Sequence, residues 1–200
     1  MADTNFKPSD TKRVLQVADI EIEHEDVFHL KNLYALTHEW FMENGFANPD
    51  KAGLPDAVEK YYFQKEMDGG LTEHAIWWRL HKVPDDHGYL KYFVTFDFQT
   101  IAMSSKKVQH KGKQVKTNKG DLIIRCRAYL VLDYKDEWKT HWFLKYFHTR
   151  FINVWYKKEI EAYKQRLWLL MYDLQSTIKQ YLQLKNPVEM QKPFHPERGL

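Results

Sequence analysis

Cysteine is nearly absent from this chain. The one cysteine, Cys126, excludes an internal disulfide bond and is typical of a reducing, intracellular compartment, so we expect a cytoplasmic protein. Long apolar runs are absent as well, since none approaches the roughly 18 residues that a membrane-spanning helix needs. The first residues are polar and acidic, unlike a signal peptide. We therefore expect no transmembrane segment.

Recognisable chemical motifs are also missing. No catalytic motif or phosphate-binding loop stands out, so the sequence predicts no catalytic residues and no cofactor, and it favours a non-enzymatic protein while leaving activity open. The closest histidine group, His24, His29 and His38, lacks the i, i+4 spacing of a zinc site, so we expect no metal. Cys126 lies on a predicted buried strand face, where a cysteine is typically a small core residue.

Large aromatic side chains are abundant instead. The chain has 7 Trp, 12 Tyr and 12 Phe among 200 residues, so we expect a core built from rings. A chain of this length can bury a sizeable core without disulfides or metal. We predict a single α+β domain over residues 12–186, with a loose lead-in over residues 1–11 and a tail over residues 187–200.

Charge is distributed unevenly along the chain. Residues 1–100 contain 10 Lys and Arg against 18 Asp and Glu, a net charge of −8, whereas residues 101–200 contain 20 against 9, a net charge of +11. Such asymmetry can mark an anionic partner for the basic half. The alternative is that the two halves fold together and their charges face each other, because one domain interleaves its halves in space.

Alternation of apolar and polar residues predicts five strands, over residues 14–23, 59–67, 74–83, 89–103 and 121–134. Between the first two, apolar residues at helical spacing predict a helix that begins at about Asp26 and ends at Asn44-Gly45. Short turns between the later strands predict an antiparallel meander. The length of the last strand predicts that this sheet is curved.

Residues 141–185 carry apolar residues at helical spacing and contain neither Gly nor Pro. A helix of that length would span about 70 Å, whereas a compact domain of this size is only about 40 Å across. We therefore predict a bend in the aromatic and β-branched run Phe151–Trp155. The part from about Lys157 onward is predicted to pack against the sheet.

The inner face of the last predicted strand has small residues, Cys126 and Ala128, at its middle. They leave space for a closely packed helix or for a cavity. The sequence therefore favours a domain that binds an apolar small molecule or a partner peptide between the sheet and the C-terminal helix. The predicted ligand-lining residues are Trp78, Phe96, Cys126, Ala128, Trp168 and Tyr172.

The order of elements, a strand, a helix, an antiparallel meander and a long terminal helix, resembles the helix-grip fold of START-like domains. In that fold a curved sheet wraps a C-terminal helix, and the resemblance implies an apolar ligand between them. Three stretches are also similar to a family of small archaeal proteins whose activity is unknown: Ile76-Trp77-Trp78-Arg79, the segment 112–121 with its Gly112-Lys113 and Lys119-Gly120, and Ile178-Lys179-Gln180-Tyr181-Leu182.

A lysine-rich stretch without acidic residues covers residues 104–120. Gly112 at its middle predicts a protruding β-hairpin with a basic tip. This hairpin could bind phosphates, which makes a nucleic-acid or ribonucleoprotein accessory protein the alternative function. Lysines also protect exposed sheet edges from aggregation, which is the structural alternative. The predicted anion-binding residues are Lys106, Lys107, Lys111, Lys113, Lys116 and Lys119.

Residues 142–158 combine aromatic residues with lysines. The helical pattern predicts Phe143, Phe147, Phe151 and Val154 on one face and His148 on the other. Trp and Tyr with flanking lysines are typical of a helix at a membrane interface. The same pattern fits a helix that packs on the core. A third functional alternative is a structural homodimer closed by exposed apolar surface on the long helix.

Overall fold

The computed structural model describes residues 13–47, 58–110 and 113–182, and this part of the chain has an α+β fold. The six strands are β1 (Val14–His24), β2 (Val27–Phe28), β3 (Glu59–Met67), β4 (Leu71–Lys82), β5 (Leu90–His110) and β6 (Lys113–Leu132). The helices are α1 (Leu30–Glu43), α2 (Glu137–Thr140), α3 (Leu144–Arg150) and α4 (Lys157–Tyr181). A short 3-10 turn, Pro84–Asp86, follows β4.

The strands form one curved antiparallel sheet in the order β1-β6-β5-β4-β3. Strands β3 to β6 follow one another as a meander, as predicted, and β1 returns beside β6. Strand β2 also pairs with β6, beyond the end of β1. Consequently β1 and β3 are the two edges of the sheet, and β1 is the edge that faces the C-terminal helix α4.

The core lies between one face of the sheet, α1 and α4. Every second residue of the central strands is buried there, as strand geometry requires. The aromatic residues Trp78, Phe96 and Phe98 form its centre, with Phe41 of α1 in contact with Trp78 and Phe96. Burying one such side chain contributes about 1.5–3 kcal/mol, so the rings at the centre of the core stabilise the fold substantially.

Helix α1 begins four residues later than predicted. Val27 and Phe28 pair with Lys119 and Asn118 of β6, so the chain stays extended there. The helix starts at Leu30, and Nδ1 of His29 accepts a hydrogen bond from the backbone N–H of Asn32 (3.2 Å). The predicted start at about Asp26 is therefore wrong, because a long-range strand pairing keeps the chain extended there.

Strands β5 and β6 are longer than predicted and form a projecting hairpin. Their pairing continues from Ser104–Lys119 to His110–Lys113, whereas β4 pairs with β5 only as far as Met103. Within the described part of the chain, no other strand pairs with residues 106–110 or 113–117. These two stretches pair with each other. The predicted hairpin is confirmed, while Gly112 lies outside the described residues.

The predicted single helix over residues 141–185 is divided. His141 has an extended backbone (φ −72°, ψ 125°), so α2 and α3 are separate short helices. A π-helical turn, Phe151–Trp155, follows α3, and α4 begins at Lys157. The bend is thus where the length argument predicted it. The described residues contain no helix that is long and apolar enough to cross a membrane.

Candidate functional site

The space between the sheet and the middle of α4 is filled by side chains. Leu167, Met171, Leu174 and Ile178 project from α4 into the core and are fully buried. The Sγ atom of Cys126 lies 3.8 Å from Sδ of Met171. The small residues of β6 therefore accommodate the helix itself.

Four of the six predicted ligand-lining residues belong to this filled core. Trp78, Phe96, Cys126 and Ala128 have almost no solvent exposure. Burial also raises the pKa of the Cys126 thiol far above its ordinary value, so the thiol stays protonated and is a weak nucleophile. These four residues support the helix.

The other two predicted residues lie at the β1 edge. The rings of Trp168 and Tyr172 are stacked, with centroids 5.4 Å apart and planes inclined by 16°. They are 48% and 46% exposed, although both are large and aromatic. They sit one helical turn apart on α4, directly beside the buried stripe that contains Met171.

Between this aromatic pair and strand β1 is a cavity of about 340 Å³. Its residues are Val17, Ala18, Asp19, Ile20, Trp168, Met171, Tyr172 and Gln175. Towards the start of α4 it adjoins an open depression of about 830 Å³, which shares Val17 and Trp168 with the cavity. We call the two together the edge groove.

An irregularity in β1 shapes the wall of the edge groove. The register between β1 and β6 shifts between Gln16 and Ala18. In a regular strand, successive side chains point to opposite faces. The bulge breaks that alternation, so both Val17 and Ala18 line the groove. The sequence carried this signal, because apolar residues at positions 17 and 18 interrupt the alternation of β1, but we did not include them among the predicted site residues.

One end of the edge groove is cationic. Lys157, Lys158 and Lys164 line the open depression together with Glu161. The Nζ atom of Lys164 lies 3.1 Å from Oε1 of Glu161, which neutralises that pair. Lys157 and Lys158 leave this end positively charged. The opposite end is lined by the rings of Trp168 and Tyr172, by aliphatic side chains and by the polar residues Asp19 and Gln175.

The outer face of the sheet has a separate cavity of about 300 Å³ beside Trp77. Its arginines are paired with acidic residues: Arg125 with Glu21 (3.0 Å) and Arg127 with Asp19 (3.5 Å). Both acids belong to the acidic half of the chain and both arginines to the basic half. The interpretation that the two halves neutralise each other is confirmed at these two pairs.

The basic hairpin is described only in part. Lys106, Lys107 and Lys119 are exposed on its strands. Lys111 and the side chains of Lys113 and Lys116 lie outside the described residues. Where side chains are described, no group of three or more His, Cys, Asp or Glu residues is arranged to hold a metal ion.

The comparisons with known proteins give no family assignment. No family model matches this chain, and no curated protein matches it in sequence.

Proposed function

We propose that this chain is a non-enzymatic binding protein that holds an amphiphilic small molecule in the edge groove. The apolar part of the ligand would lie between β1 and the stacked rings of Trp168 and Tyr172. Its anionic end would face Lys157 and Lys158. The observation that carries this proposal is the exposure of two stacked aromatic rings over a cavity whose floor, Ala18 and Met171, is apolar and buried.

The dimensions of the groove support a small molecule. Ligand pockets commonly measure about 300–1,000 Å³ and combine apolar walls with a few polar groups. The cavity of about 340 Å³ is at the lower end of this range, and the adjoining depression enlarges the space open to a ligand. An apolar chain with one carboxylate would place its apolar part against Val17, Ile20 and the two rings, and its charge at the cationic end.

The ligand would therefore lie at the β1 edge of the sheet, and not at the centre where the sequence predicted it. The curved antiparallel sheet with a long C-terminal helix agrees with a helix-grip arrangement, and we propose that architecture for the chain. In this version of it α4 fills the hollow of the sheet, and the ligand occupies the remaining space beside the helix.

Dodecanoate, kept below its micelle-forming concentration, is a suitable probe. Titration of dodecanoate into ¹⁵N-labelled protein should shift the NMR signal of the Trp168 indole N–H. That signal is identified as the one missing from the spectrum of the Trp168→Phe variant. Trp168→Ala should weaken binding by about tenfold or more, because the ring supplies much of the apolar contact area. The matched control is Trp77→Ala, which removes an equally exposed ring from the outer face of the sheet and should leave the affinity unchanged.

The role of the lysines needs a second comparison. A double substitution of Lys157 and Lys158 by Glu should weaken dodecanoate binding but leave the binding of dodecanol nearly unchanged, since the alcohol has no charge. Equal losses for both probes would show that the lysines do not recognise the carboxylate. If the Trp168 signal does not respond to either probe, the edge groove is not the binding site.

One observation supports the alternative function, binding of nucleic acid. The basic hairpin projects beyond its neighbouring strands and exposes Lys106 and Lys107. Contact with phosphates would make binding fall steeply between low and physiological salt. Substitution of Lys106 and Lys107 by Gln should reduce that salt dependence if the hairpin binds nucleic acid. The homodimer alternative stays a prediction, which light scattering at high protein concentration tests.

A further inference from the structure

Residues 138–158, which we call the aromatic segment, are held to the fold by one set of rings. Trp138 and Phe151 stack with centroids 4.3 Å apart, and Tyr89 packs edge-on against both. The Oη atom of Tyr89 lies 2.7 Å from Nε2 of His148. The sequence placed Phe151 on the same face as Phe143 and His148 on the opposite one. The structure instead turns both Phe151 and His148 towards the sheet, so that assignment is wrong.

The segment is also fixed at both ends by hydrogen bonds. The buried carboxylate of Asp133 accepts hydrogen bonds from the backbone N–H groups of Trp138 and Lys139, both at 3.1 Å. At the other end, Oη of Tyr156 lies 2.5 Å from Nε2 of His87. The aromatic segment is therefore an ordered part of the fold, and its outward side chains have defined positions.

A second set of rings on the same segment points into solvent. Trp142 and Tyr146 are each 76% exposed, and Trp155 is 69% exposed. Phe143 and Phe147 are also exposed and contact each other, with centroids 4.9 Å apart. Trp142 contacts Phe143 as well, with centroids 5.6 Å apart, so Trp142, Phe143 and Phe147 form one exposed apolar cluster. Such a cluster often marks a surface that binds something.

Charge identifies the kind of partner. The aromatic segment contains five Lys and Arg residues and no Asp or Glu. Within the same segment, exposed side chains belong to Lys139, Arg150, Lys157 and Lys158. Trp and Tyr favour the boundary between lipid headgroups and acyl chains, while flanking Lys and Arg bind anionic headgroups. A purely apolar patch would fit a second protein equally well, but this combination fits an anionic lipid surface.

We propose that the aromatic segment is a docking site for the surface of an anionic lipid bilayer. Trp142, Tyr146 and Trp155 would enter the headgroup region, while the basic residues contact phosphates and carboxylates of the lipids. The inward rings keep the segment fixed during docking, so no folding step is required. Lys157 and Lys158 belong both to this segment and to the cationic end of the edge groove, which places the groove beside the bound membrane.

Vesicle flotation of the full chain tests this proposal. Vesicles of phosphatidylcholine with about one third phosphatidylglycerol should carry the protein upward, whereas pure phosphatidylcholine should bind it much more weakly, and added salt should reduce binding. Simultaneous replacement of Trp142 and Trp155 by Ser should lower the partition constant by about tenfold or more. Because both rings are exposed, the circular dichroism spectrum should not change.

Two controls separate this surface from the edge groove. Trp77→Ala, on the outer face of the sheet, should bind vesicles like the unmodified protein. Trp168→Ala should also retain vesicle binding even if it loses dodecanoate, because the docking site does not depend on the proposed ligand.

Two results would overturn the proposal. One is vesicle binding that is absent or unaffected by the Trp142 and Trp155 substitutions. The other is a stable dimer, detected by light scattering, that the same substitutions dissociate. In that case the exposed rings form a contact between two copies of the chain.

Discussion

The sulfur atoms of Cys126 and Met171 lie 3.8 Å apart where the middle of α4 crosses β6. Both side chains are fully buried. Ala128, the next residue on the same face of β6, is also buried and has a small side chain. The helix can approach the sheet this closely because the residues below it are small. The size of residue 126 therefore controls how α4 sits on the sheet.

Cys126→Leu should overpack this contact. We expect the free energy of unfolding to fall by about 1–3 kcal/mol, since a larger side chain forces either the helix or neighbouring rotamers to move. Urea denaturation followed by circular dichroism measures the change. Cys126→Ala, which adds no volume, should cost less than the Leu variant. Equal stability of the Leu variant and the unmodified protein would show that space remains below α4.

The register between β5 and β6 shifts at a bulge between Ile101 and Ser104, at the base of the basic hairpin. Gly120→Ala should destabilise this bulge. A Cβ atom at position 120 would lie 2.7 Å from the Cα of Met103, closer than packed atoms can approach. The backbone of the bulge, where Ala102 has a φ of 49°, would have to shift. We expect a loss of about 1–3 kcal/mol in the free energy of unfolding. Thermal denaturation of the purified variant measures it.

Gly88→Ala is the matched control for that substitution. A Cβ atom there meets no described atom within 4 Å, so the variant should stay within about 0.5 kcal/mol of the unmodified protein, as is usual for surface substitutions. If both glycine variants lose the same stability, the close approach at position 120 does not explain the effect.

Stability should fall in mildly acidic solution because of His74. This histidine is buried, its Nδ1 lies 3.0 Å from Oγ1 of Thr100, and burial lowers its pKa. The unfolded chain, with a histidine pKa of about 6.5, then binds a proton more readily than the folded chain. The free energy of unfolding is therefore expected to decrease as the pH falls through about 6.5, until it levels below the folded pKa.

His74→Gln is expected to remove that part of the pH dependence. The measurement is the difference in free energy of unfolding between pH 7.5 and pH 5, compared for the variant and the unmodified protein. The variant should show the smaller difference. Identical differences would mean that other groups cause the acid sensitivity.

Asp133→Ala should loosen the aromatic segment at its start. The substitution removes the acceptor for the partly buried N–H groups of Trp138 and Lys139, which then lose their hydrogen-bond partner within the protein. Hydrogen exchange of these two amides, followed by NMR, should become faster. Asp133→Asn retains one acceptor oxygen and should show a smaller effect. Unchanged exchange in the Ala variant would contradict the capping role of Asp133.

Much of the fold could be predicted from local patterns. The alternation in residues such as Leu122, Ile124 and Cys126 identified β6, because a half-buried strand repeats every two residues. The bend before Lys157 followed from comparing the length of a straight helix with the size of a compact domain. These features depend on neighbouring residues or on simple dimensions, which are present in the sequence.

The candidate site was predicted less completely. Trp168 and Tyr172, which line the edge groove, were among the predicted ligand-lining residues, whereas Val17 and Ile20, which also line it, were not. Whether a residue beside the buried stripe of α4 faces the core or solvent depends on which strand lies next to the helix. That neighbour is β1, more than 140 residues earlier in the chain.

By itself, the sequence determined the α+β class, the antiparallel strands, the bend before α4 and the unequal charge of the two halves. These follow from residue periodicity, chain dimensions and charge count. Only the tertiary structure decided that α4 fills the hollow of the sheet, that the edge groove remains beside β1, and that Phe151 turns inward while Trp142 stays exposed. The physical reason is that burial depends on contacts between distant segments, and a residue's own neighbours in sequence do not specify them.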